Sequence, residues 1–528
     1  MKPGVAALML CAIFVLVGAL WIDKPGLQAD EALFAQAIYP PFDEQFGVSV
    51  FGQNYPLMLM SYVGALKPRF WALIFHAWTP SAASVRVPAL LLGALSIWWV
   101  YRLLSLTLGS RAALAGAALL ATDPIYLLYS RMDTGPAVIM HLCLSGAMLA
   151  LVRFHLERRL AWLAVGFFAL GLGIWDKAIF AWLVIGLTIS AAVVFWRHVR
   201  AAISFRNLGV VVAAFMLGAT PLLVYNVRSG MGTFRGTTVW STEKFSHKAM
   251  LLGRVIEGEA LFGVMFREKW DGPLRDPSTA AEKATVAIAL AAGMPRRTLL
   301  GYLGVASLLL LPFVWRTPGG AAGRFALVAA AVGWLQMLLV KGAGEGAHHT
   351  ILLWPLPTIG IAAVLAAASE KVRGGGALLS VVVGVACVAN LLVLSTYYTN
   401  LLRNGGTAVW TDATYPAFDA IRKMDKDTVC TIDWGLLEAL RLLEQGRVGL
   451  CATADPVDEE GRRIALFQIA EPRYVFLTHT EGSEAFPGIT ARFVQFAESR
   501  GFRRVNRRFF ADSNGRNTVE VFQFAPAR

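Results

Sequence analysis

The sequence predicts a polytopic α-helical membrane protein, with about eleven transmembrane helices and a C-terminal soluble α/β domain. Three observations carry that fold class. Of 528 residues, 56% are hydrophobic and only 16% charged, and the mean hydropathy is +0.56; a soluble domain carries roughly 25% charged residues. Apolar stretches of spanning length recur from residue 5 to residue 397. Beyond 397 none remains, and a β–α alternation takes over.

The first stretch, 5–22, is uncharged over its 18 residues. It is long for the apolar part of a cleaved signal peptide, and with more spans following it reads as an uncleaved anchor. Further spans are expected at about 84–106, 111–129, 134–152, 160–176, 178–196, 207–227, 298–315, 322–340, 349–369 and 376–397. Basic residues fall in alternate short loops: Lys2, Arg111, Arg153 to Arg159, Arg197 to Arg206, Arg316 and Arg324, and Lys371 with Arg373. That side is therefore cytoplasmic. The loops 23–83 and 228–297 and the tail 398–528 then face the exterior. This divides the chain into a membrane module, 1–397, and an exterior, periplasmic domain, 398–528. The expected setting is a bacterial inner membrane with the N-terminus in the cytoplasm.

The first exterior loop holds an amphipathic stretch at 30–38 and a short apolar piece, Tyr55–Tyr62, suited to the membrane interface. In the second, charged residues from Arg254 to Asp271 alternate with Trp240, Phe262 and Trp270. The tail predicts strands at 428–432, 447–452 and 473–478 and helices at 436–445 and 489–500. A hairpin of 504–511 and 517–524 turns at Ser513-Asn514-Gly515. It shows neither a Gly-rich phosphate loop nor a catalytic triad.

The net charge of +13 suits loops beside anionic lipid or a site for a phosphorylated substrate. No zinc-finger spacing or RNA-binding aromatic motif supports nucleic acid as a partner. Five cysteines give no metal pattern; Cys430 and Cys451 share the exterior tail, where one disulfide can form.

Candidate chemistry gathers at the exterior ends of the spans. Asp30-Glu31 opens the amphipathic stretch, where acids also favour a helix N-terminus and Asp is a good N-cap. Arg131 and Asp133 lie between spans three and four, and Trp175-Asp176-Lys177 between spans five and six. Lys341 and Glu345 to His349 lie between spans nine and ten. Any one of these reads equally as a solvated or snorkelling side chain. Together they place acids and cations on one face, which suits group transfer from a lipid phosphate. A carboxylate takes a proton from an acceptor hydroxyl, and cations or a divalent metal stabilise the departing phosphate. His348 and His349 point about 100° apart on one helix, so both binding one ion is disfavoured.

Several of these stretches resemble the GT-C glycosyltransferases, in the branch of the protein O-mannosyltransferases and the lipid A aminoarabinose transferase. They are Asp30-Glu31-Ala32-Leu33-Phe34-Ala35-Gln36, Arg86-Val87-Pro88-Ala89-Leu90-Leu91-Leu92-Gly93, the Arg131/Asp133 loop, Lys177, and the run from Lys341 to Trp354-Pro355-Leu356-Pro357. The resemblance implies a polyprenyl-phosphate sugar donor, a lipid, glycan or protein acceptor, and inversion at the sugar. It makes Asp30 the general base or acceptor-orienting carboxylate and Asp133 the second acid. Arg131 and Lys341 become donor-phosphate contacts, with Lys177, His348 and His349 as further substrate-binding residues. Glu31, also a catalytic candidate, orients a neighbour, caps the helix or binds a metal, with His348 as the other candidate ligand. Where the family often carries a Lys- or His-containing Pro-Pro motif, this chain has Gly52-Gln53-Asn54-Tyr55-Pro56, so one phosphate or acceptor contact is missing or is replaced by Asn54 and Tyr55. The competing class is a transporter or flippase of lipid-linked substrates. It would place ionisable groups near mid-membrane and show repeated halves, and this chain shows neither. A non-catalytic accessory subunit would be expected to lack Asp30 or Asp133.

Overall fold

The computed structural model describes residues 2–36, 39, 46–235, 239–268 and 273–527. Ala37 and Ile38 of the amphipathic stretch, and Lys269, Trp270 and Asp271 of the loop 228–297, lie outside the described residues. Among the described residues, six helices are long and apolar enough to cross a bilayer: Ala82–Leu108, Val138–Glu157, Phe205–Arg228, Pro318–Leu339, Ala347–Ser369 and Gly375–Asn404. Two bent pairs, Ser110–Thr122 with Pro124–Met132 (61°) and Ala178–Val194 with Trp196–Ala202 (103°), bring the number to eight if each is one span. Pro3–Gly18, Leu160–Asp176 and Leu300–Val314 are shorter apolar helices on the other three expected spans.

The 61° bend has a local cause. Pro124 has no N–H to continue the preceding helix, but its fixed φ suits the first position of a new one. Asp123 caps that new helix, accepting the Ile125 and Tyr126 N–H groups at 2.9 Å each. Its other oxygen takes the Trp354 indole N–H at 2.9 Å. Small residues set another contact that matters for the site. Helix Leu160–Asp176 packs on Phe205–Ser229; a Cβ on Gly171 would stand 3.1 Å from the Gly218 Cα and 3.0 Å from the Ala219 nitrogen. Only glycine permits that approach, and it fixes the helix that ends in Asp176.

The loop 23–83 is more ordered than its sequence suggests. Its amphipathic stretch forms the helix Ala29–Gln36, called the site helix below. The apolar piece expected to lie flat in the interface is instead mostly a strand. β1 (Phe46–Val50), β2 (Gln53–Met60) and β3 (Val63–Gly64) form an antiparallel sheet in that order. β3 is bridged to Lys177, and the Trp175 indole N–H bonds the Leu57 carbonyl at 2.9 Å. A further helix, Leu66–Ala77, follows the sheet.

After Asn404 the chain builds a five-stranded sheet in the order β5-β4-β6-β8-β7. Its strands are β4 (Thr428–Thr431), β5 (Gly449–Ala452), β6 (Tyr474–His479), β7 (Phe502–Ala511) and β8 (Asn517–Pro526). β4 runs parallel to β5 and β6, while β8 is antiparallel to β6 and β7. Helices Leu437–Glu444 and Ile489–Ser499 match expectation, whereas Thr414–Arg422 and Glu459–Ala470 were not foreseen. Cys430, Ile432, Phe476, Phe493 and Phe522 form a core of their own. Phe418, Leu436, Leu440 and Val519 belong to the main core instead.

Cys430 and Cys451 are partners in register on β4 and β5 and form a disulfide. It closes a loop of 21 residues, so Cys430→Ser is expected to cost about 2–4 kcal/mol. Thermal unfolding with and without reductant checks this: reductant should lower the wild-type midpoint and leave the variant unmoved.

Candidate active site

Between the first helix and the site helix the chain has no regular structure, so its carbonyls need partners from elsewhere. Two buried arginines supply most of them. Arg131 donates to the carbonyls of Leu20 (3.0 Å), Trp21 and Lys24. Arg86 donates to Ile22 (2.7 Å), Pro25 (2.8 Å) and Gly26 (3.1 Å). Asp23 receives the Tyr415 hydroxyl at 3.2 Å. Every carbonyl from Leu20 to Gly26 therefore has a donor. Arg131 was expected at the donor phosphate; 1% exposed and also bonded to the Tyr398 hydroxyl, it braces this loop instead.

The loop delivers the chain into the site helix with a defined cap. Gln28 Oε1 accepts the N–H groups of Asp30 (2.7 Å) and Glu31 (3.3 Å), as an N-cap side chain does. Capping therefore falls to Gln28, and the Asp30 carboxylate is left available. Glu31 is committed elsewhere. Both its oxygens are held by Arg86, at 2.7 and 2.9 Å, and both side chains are 0% exposed. Catalysis and metal binding were the expectations for Glu31; a carboxylate sealed under a guanidinium fork fits neither.

Asp30, one residue earlier on the site helix, is half-buried. Burial raises its pKa above the usual carboxylate range, with the Lys177 charge, a Gln28 hydrogen bond and the Lys67 charge opposing the rise. Lys177 follows the end of helix Leu160–Asp176 and donates to the Gly135 carbonyl at 3.3 Å. Burial lowers its pKa to about 8 against the opposing charges of Asp176, Asp133 and Asp30. Lys67, on the helix Leu66–Ala77, is buried with its Nζ 2.8 Å from Asp133 Oδ2 and 3.3 Å from the Asp133 carbonyl.

Asp133 ends helix Pro124–Met132 in a left-handed conformation (φ 48°, ψ 43°). Its Oδ1 accepts the Ala137 and Val138 N–H groups at 2.7 and 3.0 Å. Thus Asp133 is buried and holds Lys67 together with the start of the next helix. Asp176 is also buried, and neither carboxylate oxygen has a hydrogen-bond partner among the described residues. Asp133, Lys67 and Lys177 are the charges acting on it.

His348 packs against Gly135, where an added Cβ would meet its Cβ at 2.8 Å, and its ring lies 4.2 Å from that of His349. Lys177 acts on both rings, so the pair borders the cluster. Lys341 is exposed, its backbone N–H bonded to the Val239 carbonyl at 2.8 Å, and among the described residues no contact ties its ammonium to the cluster. Asn54 and Tyr55 fall on β2, opposite Ser49 and Val48, with the Arg69 guanidinium 5.6 Å over the Tyr55 ring. Among the described residues no three His, Cys, Asp or Glu side chains are grouped to hold a metal. With Glu31 sealed and His348 beside a lysine, the residues proposed for a metal do not fit one.

Two residues of the cluster escaped the sequence reading. Lys67 was hidden in a loop read as interfacial; a lysine inside Leu66-Lys67-Pro68-Arg69-Phe70-Trp71 was its only signal. Asp176 was noticed beside Lys177 but given no role.

Residues 66–225, which hold Lys67, Arg86, Arg131, Asp133, Asp176 and Lys177, match the family model described as "Dolichyl-phosphate-mannose-protein mannosyltransferase". No curated protein sequence matches the chain. Among solved structures it is similar to ArnT from Cupriavidus metallidurans bound to undecaprenyl phosphate, at 13% identity over 97% of both chains, with a TM-score of 0.56. The apo form of that protein gives 13%, 97% of both chains and 0.55. An oligosaccharyltransferase of Archaeoglobus fulgidus gives 14% identity over 99% of this chain and 73% of that one, with a TM-score of 0.47. The fold is that of the GT-C glycosyltransferases, the resemblance first carried by the short motifs around Asp30, Arg86 and Lys177.

Proposed function

We propose that this chain transfers a sugar from a polyprenyl-phosphate donor to an acceptor at the exterior membrane face, with inversion at the sugar. The observation that carries the reading is the Asp30 carboxylate, free of capping duty and under the charges of Lys177 and Lys67. Asp30 takes the proton of the acceptor hydroxyl. The acceptor oxygen attacks the anomeric carbon from the face opposite the phosphate, and the C–O bond to the phosphate breaks with its electron pair passing to that oxygen. Lys177 and Lys67 stabilise the phosphate charge. Asp133 holds Lys67 in place, and His348 with His349 lines the far side. Undecaprenyl phosphate, bound in the similar ArnT structure, is the class of lipid carrier proposed.

The exterior placement rests on two supports: the basic loops on the opposite side, and a tail disulfide suited to an oxidising compartment. Eleven spans, the N-terminus in the cytoplasm and a periplasmic tail in a bacterial inner membrane complete the proposal.

The pH profile tests it. Asp30 must be ionised, so transfer rises with pH through a value above the ordinary carboxylate range. Lys177 must be protonated, so transfer is present below about 8 and is lost as pH rises through it. The expected profile is a bell. Lys177→Arg keeps its charge at all working pH values, so its alkaline limb should disappear while the acid limb stays. Lys177→Met should lose about 10²–10³ in rate. An alkaline limb unmoved in Lys177→Arg, measured as radiolabel transfer from polyprenyl-phosphate sugars in membranes, contradicts the assignment.

A further inference from the structure

Resting on Asp30 as the base, we propose that the C-terminal region holds that base in position, with Asp412 as the positioning residue. The loop before the site helix is gripped from two sides. Arg86 and Arg131 of the membrane module hold one side. The other side is held by groups from two segments of the tail, residues 410–415 and the β7–β8 turn. Asp412 Oδ2 pairs with Lys24 Nζ at 3.0 Å, both side chains largely buried. Its Oδ1 accepts the Ser513 N–H at 2.9 Å, so the same carboxylate ties the β7–β8 turn to the loop. Lys24 also donates to the Ser513 hydroxyl. The Gly26 N–H donates to the Trp410 carbonyl at 2.8 Å, and the Tyr415 hydroxyl donates to the Asp23 carbonyl.

Beyond the loop, the site helix itself packs on the tail helix Leu437–Glu444. Ala32 and Ala35 share one buried cluster with Leu436, Ala439 and Leu440. The helix bearing Asp30 thus has a wall made by the tail. Lys24 and Gly26 stand six and four residues before Asp30, with Gln28 capping between, so slack at Asp412 is passed to the carboxylate through a chain of fixed groups. The tail is part of the catalytic frame and more than a cap over the cleft.

Hydrogen exchange on the full chain in lipid nanodiscs tests this, with transfer measured on the same preparations. In Asp412→Asn the amides of residues 26–36 should exchange at least ~5-fold faster while β4 and β6 stay at their wild-type rates. Transfer per folded molecule should fall about tenfold, since small misplacements of a reacting group are costly. Asp412→Glu should restore both. Tyr415→Phe, which removes one hydroxyl and keeps the ring, should give a smaller acceleration confined to the same amides, and supplies the readout if Asp412→Asn does not fold. Unchanged exchange at 26–36 overturns the proposal, as does acceleration spread evenly over the molecule, the mark of general destabilisation. Wild-type transfer by Asp30→Asn would instead remove the base assignment, whatever the exchange shows.

Discussion

Asp30→Asn should fold as the wild type does and lose about 10²–10⁴ in transfer rate, the span attributed to a positioned acid–base group. The substitution is close to isosteric. The helix cap survives, because Gln28 Oε1 receives backbone N–H groups rather than the carboxylate. The Glu31–Arg86 pair is untouched, since those partners bind each other. What goes is a base raised above its ordinary pKa by burial, the direction that strengthens a base. Thermal unfolding should move little, as expected for a half-buried group outside the packed core. Radiolabel transfer from polyprenyl-phosphate sugars in membranes reads the loss. Wild-type transfer by Asp30→Asn would contradict both the base role and the mechanism built on it.

How much of this was legible depended on the kind of signal. The acidic pair stood out because an uncharged span precedes it, and Asp133 and Lys177 stood out as charges at span ends. Their convergence needed the fold: Lys177 reaches Gly135 and Asp133 reaches Lys67 only after helices distant in sequence pack together. Lys67 was missed because its helix follows a small sheet that short, Pro-containing strands hardly announce. Arg131 was placed wrongly for a general reason: a sequence shows where a guanidinium is rooted but not which carbonyls it will reach. The same limit applies to Lys341, a charge in the right loop whose ammonium stays in solvent. In the tail, period-two alternation and the Ser513-Asn514-Gly515 turn placed the β7–β8 hairpin within two residues. The helix Glu459–Ala470 was missed because Arg462 and Arg463 interrupt its apolar stripe, although Asp458 caps it at 2.6 Å.

The largest stability effect is expected one residue from the base. Glu31 and Arg86 are both 0% exposed, and Arg86 also serves the carbonyls of Ile22, Pro25 and Gly26. Removing one partner of a buried ion pair leaves an uncompensated charge, a loss of about 3–5 kcal/mol, and Arg86→Gln further strips donors from those carbonyls. It should therefore accumulate poorly, with an unfolding midpoint far below wild type. Glu31→Gln should be milder, because the arginine it leaves behind still faces three carbonyl acceptors and a neutral amide oxygen. The consequence for function separates the adjacent acids. In Glu31→Gln, transfer should fall only as the folded fraction falls, so activity per folded molecule stays near wild type. Asp30→Asn should show the reverse, full folding with little transfer. Fluorescence-detected size exclusion counts the folded protein, and dividing transfer by that count gives the comparison. A Glu31→Gln protein that folds fully yet does not transfer would place Glu31 in the chemistry after all. In the structure, the guanidinium fork that covers both its oxygens stands against that outcome.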